Sequence, residues 1–184
     1  HAEYTNVPRA CAYVAEAAGR FHTGMHIHLS ETEKEHRECI ARWGKTPTAF
    51  FRDTGVLENP TCAAHGVWLT DEDIAVLAEK KASVAHNPVS NLKLGSGVMP
   101  LGKLLNAGVN VALGTDGAAS NNRLDILREL QTAALIHKGV NRDPSLAPAR
   151  VLFALATRGG ALAQRREDCG RIGVGCRADL VLID

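Results

Sequence analysis

Ser83-Val84-Ala85-His86-Asn87-Pro88 and Val109-Asn110-Val111-Ala112-Leu113-Gly114-Thr115-Asp116-Gly117 are the stretches that decide the fold. Each is an apolar run too short for a helix, and each stops at a Pro or Gly beside a side chain able to bind metal or move a proton. Residues 100–106 between them read as a helix closed by Ala107-Gly108, so the unit is strand, helix, strand. The same grammar extends towards the start of the chain. Residues 61–67 form a strand carrying His65, and residues 24–29 form one carrying His26 and His28 and followed by Ser30-Glu31. Helical patterns fill the intervals at 8–19, 31–43, 46–53 and from the Thr70-Asp71-Glu72-Asp73 cap to about Lys81. Such alternation predicts βαβ units and a parallel sheet. Towards the other end, residues 124–138 and 148–164 read as two longer helices. After them Gly170, Gly173, Gly175 and Arg177-Ala178-Asp179 punctuate what reads as two short strands of a separate β unit.

The 184 residues carry 21 Lys+Arg against 20 Asp+Glu, a formal charge of +1, and 45% hydrophobic residues, enough for a packed core. With no basic surplus and 4% aromatic residues, the composition does not favour nucleic-acid binding. The longest apolar runs fall far short of the ~20 residues that cross a bilayer, so no membrane span is expected. Cys11, Cys39, Cys62, Cys169 and Cys176 are an odd set without C-x-x-C spacing. That points away from a disulfide framework or a thiolate zinc site and towards a reducing cytoplasm. A chain that starts at His1 and stops at Asp184, directly after Leu180-Val181-Leu182-Ile183, reads as a fragment. A homo-oligomer is left open.

Four successive strands end beside a candidate ligand or acid/base: His26, His28 and Glu31, then His65, then His86, then Asp116. In a parallel barrel the carboxyl ends of all strands open on one face, which lets residues far apart in sequence converge there. In His28-Leu29-Ser30-Glu31 a neutral imidazole suits Zn²⁺, and a carboxyl three residues on can stand near a metal without binding it, as a proton shuttle. Asp116 offers a carboxylate that binds metal and accepts a proton from water, or else Asp116-Gly117 is a turn signal only. His26 shares the face of His28 and is either a second ligand or a packed inner residue. Ser120-Asn121-Asn122 is a solvent-facing loop or a set of donors to a substrate. His22, His36 and His137, at a strand entry or on helices with polar neighbours, are read as structural.

His28-x-x-Glu31, Ala63-Ala64-His65-Gly66, Ser83-Val84-Ala85-His86-Asn87-Pro88-x-Ser90-Asn91-Leu92-Lys93-Leu94 and Gly114-Thr115-Asp116-Gly117-Ala118-Ala119-Ser120-Asn121-Asn122 together resemble the amidohydrolase superfamily. Within it they are similar to the 5-methylthioadenosine/S-adenosylhomocysteine deaminases. The resemblance implies an α/β fold, a (β/α)8 TIM barrel, of which residues 1–168 hold strands five to eight. Residues 169–184, with Gly175-x-Arg177-Ala178-Asp179-Leu180-Val181, would begin the return to a small β-sandwich domain. It further implies one divalent metal, Zn²⁺ with Fe²⁺ or Mn²⁺ as alternatives, held by His28 and Asp116. Glu31 would protonate the purine ring, His65 would orient the attacking water and Asp116 would act as base. Substrate contacts map to His1, His28, Glu31 and Ser120, while His86 and Asn87 would shape the pocket. The implied reaction is hydrolytic deamination of a small adenine nucleoside at C6, giving an inosine-type product and ammonia. Alternatives are another amidohydrolase of the same branch, such as a guanine, cytosine or triazine deaminase or a chlorohydrolase, and a metal-binding module without catalysis. The family's His-x-His pair on strand one is absent, and His26-x-His28 is not that pair because Glu31 places it on strand five. The chain alone is therefore expected to be inactive.

Overall fold

The computed structural model describes residues 1–182. Helix α1 (Pro8–Arg20) leads into strand β1 (Met25–Leu29), and helices α2 (Glu33–Trp43) and α3 (Pro47–Asp53) cross to β2 (Thr61–His65). Helix α4 (Asp71–Glu79) leads to β3 (Ser83–His86), and α5 (Pro88–Lys93) and α6 (Leu101–Asn106) lead to β4 (Asn110–Leu113). Then come α7 (Ala118–Asn121), α8 (Ile126–Asn141), α9 (Ala149–Ala154) and α10 (Gly160–Ala163). The four strands are parallel and lie side by side in sequence order, so the sheet winds in one direction without reversal. The predicted βαβ alternation and parallel sheet are therefore present.

Register explains the two faces. Ile27, Ala63, Val84 and Val111 are partners across the four strands, and all are buried in the core with Leu77, Leu104 and Leu152 from the helices. The next row, His28, Ala64, Ala85 and Ala112, alternates to the opposite face. Its three alanines leave room above the sheet beside His28.

Local chemistry sets the helix starts. Thr32 caps α2 through a capping box with Glu35, so the helix begins two residues later than the expected 31 and Glu31 stays on the preceding loop. Thr70 and Asp73 form a second box at α4. Gly44, at φ 70, ends α2 in the left-handed conformation. The expected helix over 148–164 is interrupted by a π turn at Leu155–Gly159 between α9 and α10. That turn brings Gly159 onto β4, where the Asn110 side-chain amide donates to its carbonyl at 3.1 Å. A Cβ at Gly159 would lie 2.2 Å from the Val111 carbonyl oxygen. Gly159→Ala is therefore expected to destabilise the protein by about 1–3 kcal/mol in urea unfolding. An unchanged midpoint would show that the helix can lift away from β4 freely.

The tail departs from expectation. Residues 169–182 contain no strand, and Ile172, Val174, Leu180, Val181 and Leu182 are exposed. The segment is tied by the Arg177 N–H to the Asp168 carbonyl (2.7 Å) and by the Arg158 guanidinium to the Cys169 carbonyl (3.2 Å). Neither is a ladder bond, and a strand without a neighbour leaves its backbone groups unpaired. Ile183, the end of that apolar run, lies outside the described residues. Among the described residues no helix is long and apolar enough to cross a membrane.

Candidate active site

The chain leaves β1, β2 and β4 through non-glycine residues in left-handed backbone: Ser30 (φ 46), His65 (φ 76) and Asp116 (φ 58). Such conformations are unfavourable by about 1–3 kcal/mol each. At His65 the consequence is direct. Strict alternation from Ala63 would send its ring into the helical layer, whereas the left-handed turn sets it against His28, with ring centroids 5.4 Å apart and planes at 25°. His28, His65 and Asp116 each offer one ligand atom, and these atoms lie within 4.8 Å of one another.

Asp116 and His65 are held by side chains whose part here the sequence reading did not give: Ser120 was expected at the substrate, and Ser90 and Asn91 stood only within a motif. Ser90, on α5, and Ser120, on α7, both donate to Oδ2 of Asp116, at 2.7 and 2.8 Å. Burial alone would raise the Asp116 carboxyl, but the two hydroxyls and the Gly117 N–H outweigh it and hold the group below its ordinary value, as the anion. His65 Nδ1 donates to Oδ1 of the fully buried Asn91 at 2.8 Å, which leaves Nε2 for the site. Burial, followed by the neighbouring His65, lowers the basicity of His28, and its Nδ1 is buried with no hydrogen-bond partner among the described residues. An unpartnered imidazole nitrogen beside an ionised carboxylate and a second imidazole is the donor set that a divalent cation satisfies. Asn91→Leu frees the His65 ring and is expected to weaken metal affinity or turnover about 10–100-fold. Chelator competition and initial rates check this, and wild-type values for both would show that the ring is held by other contacts.

Glu31 stands at the edge of the cluster. Its Oε2 is 3.8 Å from His65 Nε2, and its Oε1 accepts from the Ser96 hydroxyl at 3.3 Å. Glu35, on α2, holds this loop by accepting backbone N–H bonds from Ser30, Glu31 and Thr32. Glu129, on α8 and fully buried, accepts from the Val89 N–H at 3.0 Å and from the Asn121 side-chain amide, so one carboxylate fastens the segments carrying Ser90 and Ser120.

The structure places His1 at the rim: its carbonyl accepts the His28 N–H at 3.0 Å and its ring lies 4.7 Å from that of His28. His26 lines the same cleft, with Ala64, Ala85, Asn87 and Gly114, but is not among the three convergent ligands. Asn87 thus shapes the cleft as expected, and His86 does not. Strand alternation turns His86 into the helical layer, where its Nε2 meets Nε2 of His137, on α8, at 2.9 Å. His36 hydrogen-bonds the Ser30 hydroxyl at 3.3 Å. The signal for Ser90 and Asn91 was in the sequence, within the motif following His86, but without coordinates their targets were not legible.

The family model for the amidohydrolase family matches residues 1–184, and the chain belongs to that family. It is 50% identical over 184 residues to the 5-methylthioadenosine/S-adenosylhomocysteine deaminase of Thermococcus sibiricus, which covers 100% of this chain and 43% of that protein. It is 50% identical over 185 residues to the protein of the same description from Moorella thermoacetica, again over 43% of the relative. The chain therefore spans less than half the length of these curated relatives. Among solved structures, an adenosine deaminase from Xanthomonas campestris with bound zinc superposes with a TM-score of 0.92 at 39% identity, over 96% of this chain and 40% of that one. An atrazine chlorohydrolase from Arthrobacter aurescens, complexed with zinc, superposes at 0.84 with 30% identity, over 90% of this chain and 37% of that one.

Proposed function

We propose that the protein carrying this chain is a metal-dependent hydrolytic deaminase of adenine nucleosides, of the kind that 5-methylthioadenosine and S-adenosylhomocysteine represent. The observation that carries the reading is the convergence of His28, His65 and Asp116 with Glu31 beside them. In this reading β1 to β4 are strands five to eight of a (β/α)8 barrel, which the one-directional strand order supports, and residues 169–184 lead towards a small β domain. The five unpaired cysteines support a reducing, cytoplasmic setting.

His28 and Asp116 would hold the metal, with His65 Nε2 close by. A divalent ion there, Zn²⁺ or a similar cation, supplies Lewis-acid chemistry that lowers the pKa of a water towards ~7. Asp116, kept ionised by Ser90 and Ser120, takes the proton of the attacking water on Oδ1, the oxygen those hydroxyls leave free. His65, locked by Asn91, accepts a hydrogen bond at Nε2 and so orients that water. Glu31 delivers a proton to the ring nitrogen, so that negative charge does not build up as the oxygen adds to C6; the proton held on Asp116 then passes to the amino group, which leaves as ammonia, and the C6 hydroxyl proton returns to Glu31 as the carbonyl forms. His1 at the rim and Ser120 face the nucleoside.

The test is loss of adenine absorbance when the whole protein receives S-adenosylhomocysteine with and without a chelator. Chelator-sensitive loss, restored by Zn²⁺, is the expected result. No loss from folded, metal-loaded protein would defeat the nucleoside reading. The 30% identity to the atrazine chlorohydrolase favours a second reading, hydrolysis of a substituted triazine, and turnover of such a substrate in its place would establish it.

A further inference from the structure

Two carboxyls outside the metal cluster meet in the interior. Glu35 is 5% exposed, and burial raises its carboxyl above the ordinary value; against that it accepts the backbone N–H groups of Ser30 (2.8 Å), Glu31 (2.7 Å) and Thr32 (3.3 Å), donors that favour its anion. Glu3, in a short turn at Glu3–Thr5, is 1% exposed, and neither of its carboxyl oxygens has a donor among the described residues. The turn packs on α2, where Glu3 lines a small pocket with Cys39 and Arg42, and Glu35 lies one turn from Cys39 on the same face of the helix, within interaction range of the Glu3 carboxyl. A buried carboxyl with no donor and a carboxylate for a neighbour must bring its own proton, and the Glu3 O–H then donates to Glu35.

We propose that Glu3 and Glu35 share this proton as a clamp that fastens the segment bearing His1 to the loop bearing Glu31, making both of them positioning residues for the acid/base group. The inference rests on the reading of Glu31 as the proton carrier. The link is continuous: Glu35 holds the Ser30 to Thr32 backbone, Glu3 holds Glu35, and two residues before Glu3 the His1 carbonyl accepts the His28 N–H. Arg42, on α2, is the cation whose field reaches Glu3, and it acts against the larger effects of burial and of Glu35. The other titratable groups near the pair are acids held in their neutral form. Burial, then Glu3 and Glu35, push the Cys39 thiol up to about 12, and burial raises Cys11 and Tyr4. Helix α3 also packs on the turn, and its charged Arg52 and Asp53 pair with each other at the surface.

Burial and the Glu35 charge push the Glu3 carboxyl up to about 8 from an ordinary 4.5. The folded state therefore binds this proton more tightly than the unfolded chain. Stability from the Glu3 proton is complete below about pH 4.5, declines as the pH rises, and is lost by about pH 8. Above that, two anions in contact repel, the loop shifts, and Glu31 leaves its place.

The experiment compares the whole wild-type protein with Glu3→Gln, whose amide still donates to Glu35 but does not titrate. The wild-type unfolding constant is expected to rise relative to the variant by up to about tenfold per pH unit between those limits. The wild type is also expected to lose kcat above about pH 8, with KM moving less, while Glu3→Gln lacks that alkaline loss. Glu3→Leu, which gives Glu35 no donor, should be less stable than Glu3→Gln at acid pH. Parallel stability curves for wild type and Glu3→Gln would overturn the shared proton. Diverging stability curves with coincident kcat profiles would reduce the pair to a structural role and overturn the positioning. The stability curves need no substrate, so failure of the deaminase reading would not be mistaken for failure of the clamp.

Discussion

Glu31→Gln is expected to lower kcat by about 10²–10⁴-fold while the metal content stays that of wild type. Glutamine keeps the shape of the side chain and can still accept the Ser96 hydroxyl, but it cannot deliver a proton. The convergent ligand atoms come from His28, His65 and Asp116, and Glu31 reaches the group only at 3.8 Å, through His65 Nε2. Rates on S-adenosylhomocysteine and metal per mole of protein are the two readings required. Loss of metal together with activity would make Glu31 a ligand. Retained turnover would move proton delivery to another group.

On acidification below about pH 6.5, unfolding of the protein should become easier through His86 and His137. Both are 1% exposed, and their Nε2 atoms lie 2.9 Å apart. One Nε2 must donate and the other accept, so the accepting ring carries its hydrogen on Nδ1, and both Nδ1 atoms are buried without a partner among the described residues. Burial lowers His137 to about 4, and burial together with His137 and His65 holds His86 well below its ordinary value. The native state keeps the pair neutral while the unfolded chain, with an ordinary histidine pKa near ~6.5, takes up protons first. Stability is thus complete above about pH 6.5 and falls by up to about 1.4 kcal/mol per pH unit for each histidine, until His137 also protonates in the native state near pH 4. Glu3 slopes the opposite way over the same range, so the pair is isolated by comparing wild type with His137→Leu in urea at pH 7, 6 and 5. A variant whose acid slope equals that of wild type would show that these rings do not carry it.

Much of this architecture could be read beforehand because it is local. Apolar runs stopped by Gly, Pro or a polar pair mark the four strands, and Thr70 followed by Asp73 marks a helix start without any tertiary information. What could not be read depends on direction. The alternation that puts His28 above the sheet puts His86 below it, so two histidines in similar motifs have different fates. His65 escapes that alternation only through its left-handed backbone, which nothing in Ala63-Ala64-His65 announces. Ser90, Asn91, Glu35 and Glu129 act across loops and helices, and their roles exist only once those elements are packed. The strands expected after Gly170 illustrate the converse: their pattern is clear, but a strand is a property of a pair.

Ser30, His65 and Asp116 share one further implication. At each of these positions the backbone is of a kind that glycine adopts without penalty. Glycine there would relax the backbone but remove the imidazole or the carboxylate, and would leave Asn91, Ser90 and Ser120 without the partners they now hold. At His65 and Asp116 backbone ease and side-chain chemistry thus pull in opposite directions within a single residue.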